Sequence, residues 1–185
     1  MRLRVLKMMK EVPVLAIFAI VLLGSAGAQL VGTPAPDWNN QQWLNSTPLY
    51  LSELKGRAVF LRFFTDPSCP FCRASAPFLN ELHSRYQQKG LVVIGMYTPK
   101  PAPRETKMEE VGRFVNDYGF EFPVALDNDW ATLKKYWLDR TPDADFTSVS
   151  FLIDARGIIR YVHPGGTYTN QDMSEIQKKL EAYLP

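Results

Sequence analysis

The sequence predicts an α/β fold in which helices cover both faces of a central mixed β-sheet. Short apolar runs, of the length of buried strands, alternate with longer segments whose apolar residues recur at helical spacing. Near the C-terminus, two strand candidates joined by a tight glycine turn come before a closing helix. That hairpin signal makes part of the sheet antiparallel, and the chain length suits a single domain with a sizeable core.

The first half of this predicted domain contains its longest helix. The helix follows a mostly apolar run, which indicates a buried strand, and Pro77 falls inside the helix and is expected to kink it. In order, we predict a short strand at residues 49–51, a helical turn at 52–56 that ends at a glycine, a strand at 58–64, the long helix at 73–89 and a strand at 91–96.

The second half repeats the alternation of helix and strand and ends in the hairpin. In order, we predict a Pro-rich loop at residues 98–106, a helix at 111–118, a strand at 122–126, a helix at 129–138, a loop at 139–145, hairpin strands at 149–153 and 158–162, and a closing helix at 172–183.

The first 28 residues have the pattern of an export signal. Four basic residues precede an apolar core at residues 12–23, and the small residues Ala26, Gly27 and Ala28 form a cleavage site before Gln29. The alternative is an uncleaved membrane anchor over residues 12–31. Either reading places the body outside the cytoplasm, in the periplasm or secreted, with membrane contact only if the segment is an anchor.

The basic charge of the chain belongs to this signal. The whole chain carries a net charge of +2, but removing the signal removes Arg2, Arg4, Lys7 and Lys10 against a single acid, Glu11. The remaining body is slightly acidic and has no basic patch, so nucleic acid is not an expected partner.

The two cysteines of the chain form a Cys69-Pro70-Phe71-Cys72 motif between a strand and a helix. This layout is typical of a redox-active dithiol. Cys69 lies where the helix begins, so unpaired backbone N–H groups and the helix dipole favour its thiolate and make it the nucleophile. Cys72, one turn in, is the resolving cysteine. A structural disulfide is less favoured because the loop it closes is too short to stabilise much.

Several stretches of the chain resemble one family in the same order. They are the opening at residues 32–38 (GTPAPDW), the turn at 51–56 (LSELKG), the strand–CPFC–helix unit, the strand at 91–95, and the segments 122–129 (FPVALDND) and 151–154 (FLID). Together they resemble thioredoxin-fold proteins of the redoxin superfamily. The similarity is greatest to extracytoplasmic TlpA/ResA-type thiol–disulfide oxidoreductases and to the C-terminal thioredoxin-like domain of DipZ-type proteins.

The resemblance implies a thioredoxin fold over residues 29–185, with the redoxin N-terminal extension and an inserted helix–strand element. It also implies exchange of dithiol and disulfide with protein substrates, in the reductase direction, and no cofactor beyond the Cys69–Cys72 disulfide. Protein thiols and disulfides are the expected partners, apocytochrome c or a membrane electron donor among them.

The motif and its neighbours depart from the family pattern at three positions that affect proton transfer and the environment of the two sulfur atoms. Ser68 replaces the usual tryptophan, Phe63 stands where many relatives have a buried acid, and Ser75 stands where some have an acid after the motif. No base for Cys72 is therefore evident. Asp66 and Glu81 are the nearest carboxylates in sequence. We expect Asp66 to be a loop residue and Glu81 to be a solvated helix residue.

A fourth departure concerns the wall that faces the dithiol. The family's cis-proline aligns with Ser148, which follows Thr147. Because a cis bond before a residue other than proline costs about 3 kcal/mol, we expect the Thr147–Ser148 peptide to be trans. Both residues, with Pro70 and Phe71, are predicted to support the site.

Two other functions remain open alternatives. A copper-binding metallochaperone of the Sco type would use both cysteines and His163, since thiolate and imidazole suit copper, but that family spaces its cysteines three apart. A peroxiredoxin-like peroxidase shares the fold, but the residues before Cys69 do not match its pattern. His83 is expected on the surface or half-buried.

Overall fold

The computed structural model describes residues 27–65, 68–144 and 146–185. The predicted signal or anchor lies almost entirely outside these residues, so it stays a prediction. The strands are β1 (Trp43–Leu44), β2 (Ala58–Phe64), β3 (Leu91–Tyr97), β4 (Val124–Leu126), β5 (Val149–Ile153) and β6 (Ile159–Pro164), and the helices are α1 (Pro70–Tyr86), α2 (Met108–Asp117), α3 (Ala131–Leu133) and α4 (Asn170–Tyr183). Within the described ranges, no helix is both long and apolar enough to cross a membrane.

The strands form one six-stranded mixed sheet in the order β1-β4-β3-β2-β5-β6. β2 pairs in parallel with β3 and antiparallel with β5, and β6 closes the predicted hairpin beside β5. The expected mixed sheet is therefore confirmed. Parallel strands whose carboxyl ends share one edge create a crevice there, and the dithiol motif follows directly from that end of β2.

Alternate residues of β2 enter two separate cores. Phe60 and Phe64 pack beneath α1, α2 and α4, together with Cys72, whereas Leu61 and Phe63 pack on the opposite face. All seven residues of β2 are buried, as expected of a strand covered on both faces. The face that carries Phe60 and Phe64 is called the dithiol face below.

The predicted strand at residues 49–51 is wrong. Residues Leu51–Leu54 form a 3₁₀ turn whose start is capped by Glu53, which accepts the Tyr50 N–H, while Asp37 accepts the Leu51 N–H at 2.8 Å. These side chains take the backbone donors that a strand would give to a neighbour. The first strand is instead β1, which pairs with β4.

Two predicted helices differ from the structure in form. α1 begins earlier than predicted, at Pro70, and runs through Pro77 as one helix to Tyr86, after which Gln87–Lys89 form a 3₁₀ turn. The helix predicted at 129–138 is a single α-turn, α3, that continues as a π-helical turn over Lys134–Leu138.

Candidate active site

The two sulfur atoms lie at the N-terminus of α1, beside the carboxyl end of β2. Cys69 is the N-cap residue, and its Sγ accepts a hydrogen bond from the backbone N–H of Cys72 at 3.4 Å. Pro70 occupies the first helical turn, where its missing N–H leaves no helix bond unmade. Both cysteines are free thiols, so the site is in its dithiol form.

The two cysteines differ in exposure. Cys69 is partly exposed, whereas the Cys72 side chain is 1% exposed and packs in the core of the dithiol face. Phe71, between them, is 56% exposed, which is high for a large apolar side chain. A partner can therefore reach the first sulfur but not the second.

Burial dominates the electrostatics of Cys72. Removal from water raises the pKa of its thiol to about 12, and the hydrogen bond and charge of Cys69 act in the same direction. The backbone N–H of Thr65 and the cationic Arg62 oppose the rise. Cys72 is thus a protonated thiol at neutral pH as long as Cys69 has not formed a disulfide.

A glycine turn after β6 packs against the motif. A Cβ on Gly166 would overlap the Cβ of Phe71, so only glycine fits there. Gly165 donates its backbone N–H to the Ser148 carbonyl at 2.9 Å. The motif and the segment before β5 are therefore linked through this turn.

The expectation of a trans Thr147–Ser148 peptide is confirmed, because among the described residues the cis peptide is Lys100–Pro101. Thr147 and Ser148 are both partly buried. Their predicted supporting role at the dithiol stays a prediction.

The positions that hold acids in relatives do not supply one here. Phe63 lies on the face of the sheet opposite Cys72, and the Ser75 hydroxyl donates to the Cys72 carbonyl at 3.0 Å. Glu81 is an exposed helix residue, as predicted, paired with Arg85 at 3.4 Å. Asp66 falls outside the described residues.

The two histidines lie on β6 and on α1. His163 is buried on β6, where its Nε2 bonds the Thr167 carbonyl at 2.8 Å and its ring lies 4.8 Å from that of Tyr168. His83 is half-buried on α1, as expected. Across the described ranges, no three His, Cys, Asp or Glu side chains are grouped as metal ligands.

The sequence reading missed one polar residue close to the motif. Arg62 is fully buried within β2, and its side chain points to the dithiol face, like its neighbours Phe60 and Phe64. The available signal was an arginine inside an otherwise apolar strand, since arginine is almost never fully buried without a specific reason.

Comparison with known proteins identifies the family of the chain. A family model described as Redoxin matches residues 30–180. The chain is 31% identical over 151 residues to the thiol-disulfide oxidoreductase ResA of Bacillus thuringiensis, with 81% of this chain and 78% of ResA covered. It is 33% identical over 146 residues to protein DipZ of Mycobacterium bovis, with 77% of this chain covered but only 20% of DipZ.

Solved structures give the same answer on the fold. A putative thiol:disulfide interchange protein DsbE from Chlorobium tepidum superimposes with a TM-score of 0.66 and 26% identity, covering 84% of this chain and 98% of that one. The predicted thioredoxin-like fold is therefore confirmed. The chain spans about a fifth of the length of its DipZ relatives, but most of the length of ResA.

Proposed function

Because this chain belongs to the Redoxin family, we propose that it is an exported thiol–disulfide oxidoreductase that exchanges dithiol and disulfide with protein substrates. The observation that carries the proposal is the pair of free thiols at the start of α1, one partly exposed and one buried. The ResA relative, similar over most of both chains, carries the same activity in its name.

In the first step, the Cys69 thiolate attacks one sulfur of a partner disulfide. A mixed disulfide forms between Cys69 and that sulfur, and the other partner sulfur leaves as a thiolate. The backbone N–H of Cys72, 3.4 Å from the Cys69 sulfur, stabilises the attacking anion.

In the second step, Cys72 loses its proton and attacks the Cys69 sulfur, which releases the partner as a thiolate and leaves the Cys69–Cys72 disulfide. Before this step, Cys69 raises the pKa of Cys72 through its hydrogen bond and its charge. Once Cys69 is tied up in a mixed disulfide, its negative charge is gone. Cys72 therefore ionises more easily at the moment it must attack.

We propose the reductase direction and a location outside the cytoplasm, periplasmic or secreted. The location rests on the signal pattern of residues 1–28, which also allows an anchor at 12–31. The partners are protein thiols and disulfides, and apocytochrome c or a membrane electron donor would suit such a location.

Turnover and trapping test this function together. The wild-type domain should reduce insulin or a small model disulfide, and Cys69→Ser should abolish the reaction because the nucleophile is lost. Cys72→Ser should instead accumulate mixed disulfides on Cys69, whose protein components identify the partners. Equally slow reduction by wild type and Cys69→Ser would refute the proposal.

A further inference from the structure

Arg62 carries a positive charge into the core beside the dithiol. Its side chain is 0% exposed, and it is the one lysine or arginine among the described residues that is buried to this degree. An arginine keeps its charge at any pH at which a protein is folded. The charge must therefore be stabilised by what surrounds it.

The described contacts of Arg62 are all with uncharged groups. Nη1 and Nη2 donate to the carbonyls of Gly165 and Gly166 at 2.8 and 2.7 Å, and Nη1 also donates to Ser150 Oγ at 3.1 Å. The guanidinium carbon lies 5.3 Å from the centre of the Tyr168 ring, while Nε is buried without a hydrogen-bond partner. No carboxylate of the described chain pairs with it within 4 Å.

These contacts place the cation close to the motif. Gly166, which accepts from Arg62, packs against Phe71 of the motif. Tyr168 packs against Phe78 of α1, with ring centres 5.0 Å apart. Cys72 belongs to the same core of the dithiol face, where the charge of Arg62 favours its thiolate.

Among the residues that the structure describes, the titratable groups near Arg62 leave few sources of a compensating negative charge. Cys72, His163 and Tyr168 interact electrostatically with Arg62. Cys69 and Asp172 lie beside Cys72 and His163, respectively. Asp172 is bonded to Thr169 and lies 3.8 Å from His163. His163 has no anionic form near neutral pH, and burial raises the pKa of Tyr168.

We propose that Arg62 is a positioning residue that acts as the buried counter-ion of the Cys72 thiolate. The inference rests on the proposed function. A buried cation without an anion is unfavourable, so forming a thiolate beside it relieves that penalty. Arg62 therefore speeds the second step, in which Cys72–S⁻ attacks the Cys69–S–S–partner bond, the Cys69–Cys72 disulfide forms, the partner leaves as a thiolate and the Cys72 proton goes to solvent.

This role accounts for the absence of an acid at the expected positions. In place of a carboxylate that would accept the Cys72 proton, the chain buries a cation that stabilises the sulfur after the proton has left. The cation is the Arg62 side chain, which lies on the dithiol face. Phe63, at the position where relatives have an acid, packs in the core on the opposite face.

Rapid mixing of the reduced domain with dithionitrobenzoate, from about pH 5.5 to 9, separates the two steps. The first release of thionitrobenzoate reports attack by Cys69, and the second reports attack by Cys72 on the mixed disulfide. In Arg62→Gln, which keeps N–H donors but loses the charge, we expect less Cys72 thiolate at each pH below the pKa of Cys72, equivalent to a rise of about one unit in that pKa. The rate of the second phase at pH 7 should then fall about tenfold.

Two matched variants separate charge from packing. Arg62→Lys keeps the charge and should hold the second phase within about threefold of wild type, and Arg57→Gln removes an exposed charge just before β2 and should change nothing. If Arg62→Gln does not fold, Arg62→Met replaces it, because an apolar side chain is often tolerated in place of a buried ion.

The outcomes distinguish this inference from the proposed function. A wild-type protein with no Cys69-dependent first phase refutes the function itself. A normal first phase with an unchanged second-phase pH profile in the neutral variant refutes the role of Arg62. Equal slowing in Arg62→Gln and Arg62→Lys, with no shift in the profile, also refutes it and leaves Arg62 a packing residue.

Discussion

His163 is a buried histidine whose protonation couples folding to pH. It is 8% exposed, and burial lowers its pKa below the usual 6.5, with Arg62 acting in the same direction and Thr167 and Asp172 opposing. As the pH falls through 6.5, the unfolded chain takes up a proton that the folded chain does not. Stability contributed by neutral His163 is therefore full above about 6.5 and is lost below it.

His163→Gln should reduce the acid sensitivity of the protein. The glutamine keeps an N–H donor for the Thr167 carbonyl but has no group that titrates, so the free energy of unfolding should fall less between pH 7.5 and 5.5 than in wild type. One proton limits the difference in slope to about 1.4 kcal/mol per pH unit. Urea unfolding at a series of pH values measures it, and parallel slopes in this range would contradict the prediction.

The residues of the candidate site differ in how well they could be predicted from the sequence. Cys69 and Cys72 were predictable because spacing and strand–helix context together define a dithiol motif. Arg62 was not, because its importance depends on Gly165, Gly166 and Tyr168, about a hundred positions further on, which only the fold brings together. A strand pattern shows that a residue is buried, but not what it meets there.

Gly95 of β3 leaves the space that the Phe64 ring occupies on the dithiol face. A Cβ at this position would lie 2.5 Å from Cζ of Phe64 and 3.2 Å from a methyl group of Val124, and the Phe64 ring is itself fixed against Phe114. Gly95→Ala should therefore destabilise the protein by about 1–3 kcal/mol through overpacking. Denaturant unfolding of the reduced protein measures the change.

Gly112 provides the matched control. It lies inside α2, and a Cβ there would meet nothing within 4 Å. Gly112→Ala should stabilise the protein by about 0.5–1 kcal/mol, because alanine loses less backbone entropy in a helix. Equal effects of the two substitutions would mean that the space around Gly95 does not limit packing.

The strands show which elements local sequence determines. β2 and β5 have the predicted bounds because each is an apolar run flanked by turn or loop residues. β1 is two residues long and exists through its pairing with β4, some 80 positions away, so no local pattern marks it. The prediction of a strand at residues 49–51 was wrong although the local pattern favoured a strand. The carboxylates of Asp37 and Glu53 accept the backbone N–H groups that a strand would donate to its neighbour.

On the scale of the whole molecule, β2 connects both cores with the active site. Its alternate residues pack on opposite faces, and its carboxyl end leads into the dithiol motif. The thioredoxin-like architecture was predictable because the alternation of apolar runs and helices extends along the whole body. The proton route was not, because the dithiol face combines side chains from β2, β5, β6 and the helices α1, α2 and α4.

The segment before β1 pairs with the hairpin and marks where the folded body begins. Gly32 donates to Ile159 at 2.8 Å, Ile159 donates to Thr33 at 3.0 Å and Ala35 donates to Gly157 at 2.9 Å, so this segment is held along the hairpin. Gly27 is buried against Trp137 and Val162 but has no side chain of its own, and Ala28 is exposed.

A chain that starts at Gln29, the predicted cleavage product, should therefore melt within about 3 °C of one that starts at Gly27. A chain that starts at Asn39 lacks Leu30 and Trp38, which are 3% and 2% exposed, and should lose about 5 kcal/mol or more. Thermal unfolding of the three reduced chains makes the comparison. A drop above about 8 °C on removing Gly27 and Ala28 would mean that their turn is integral to the fold, which would favour an uncleaved anchor over a cut before Gln29.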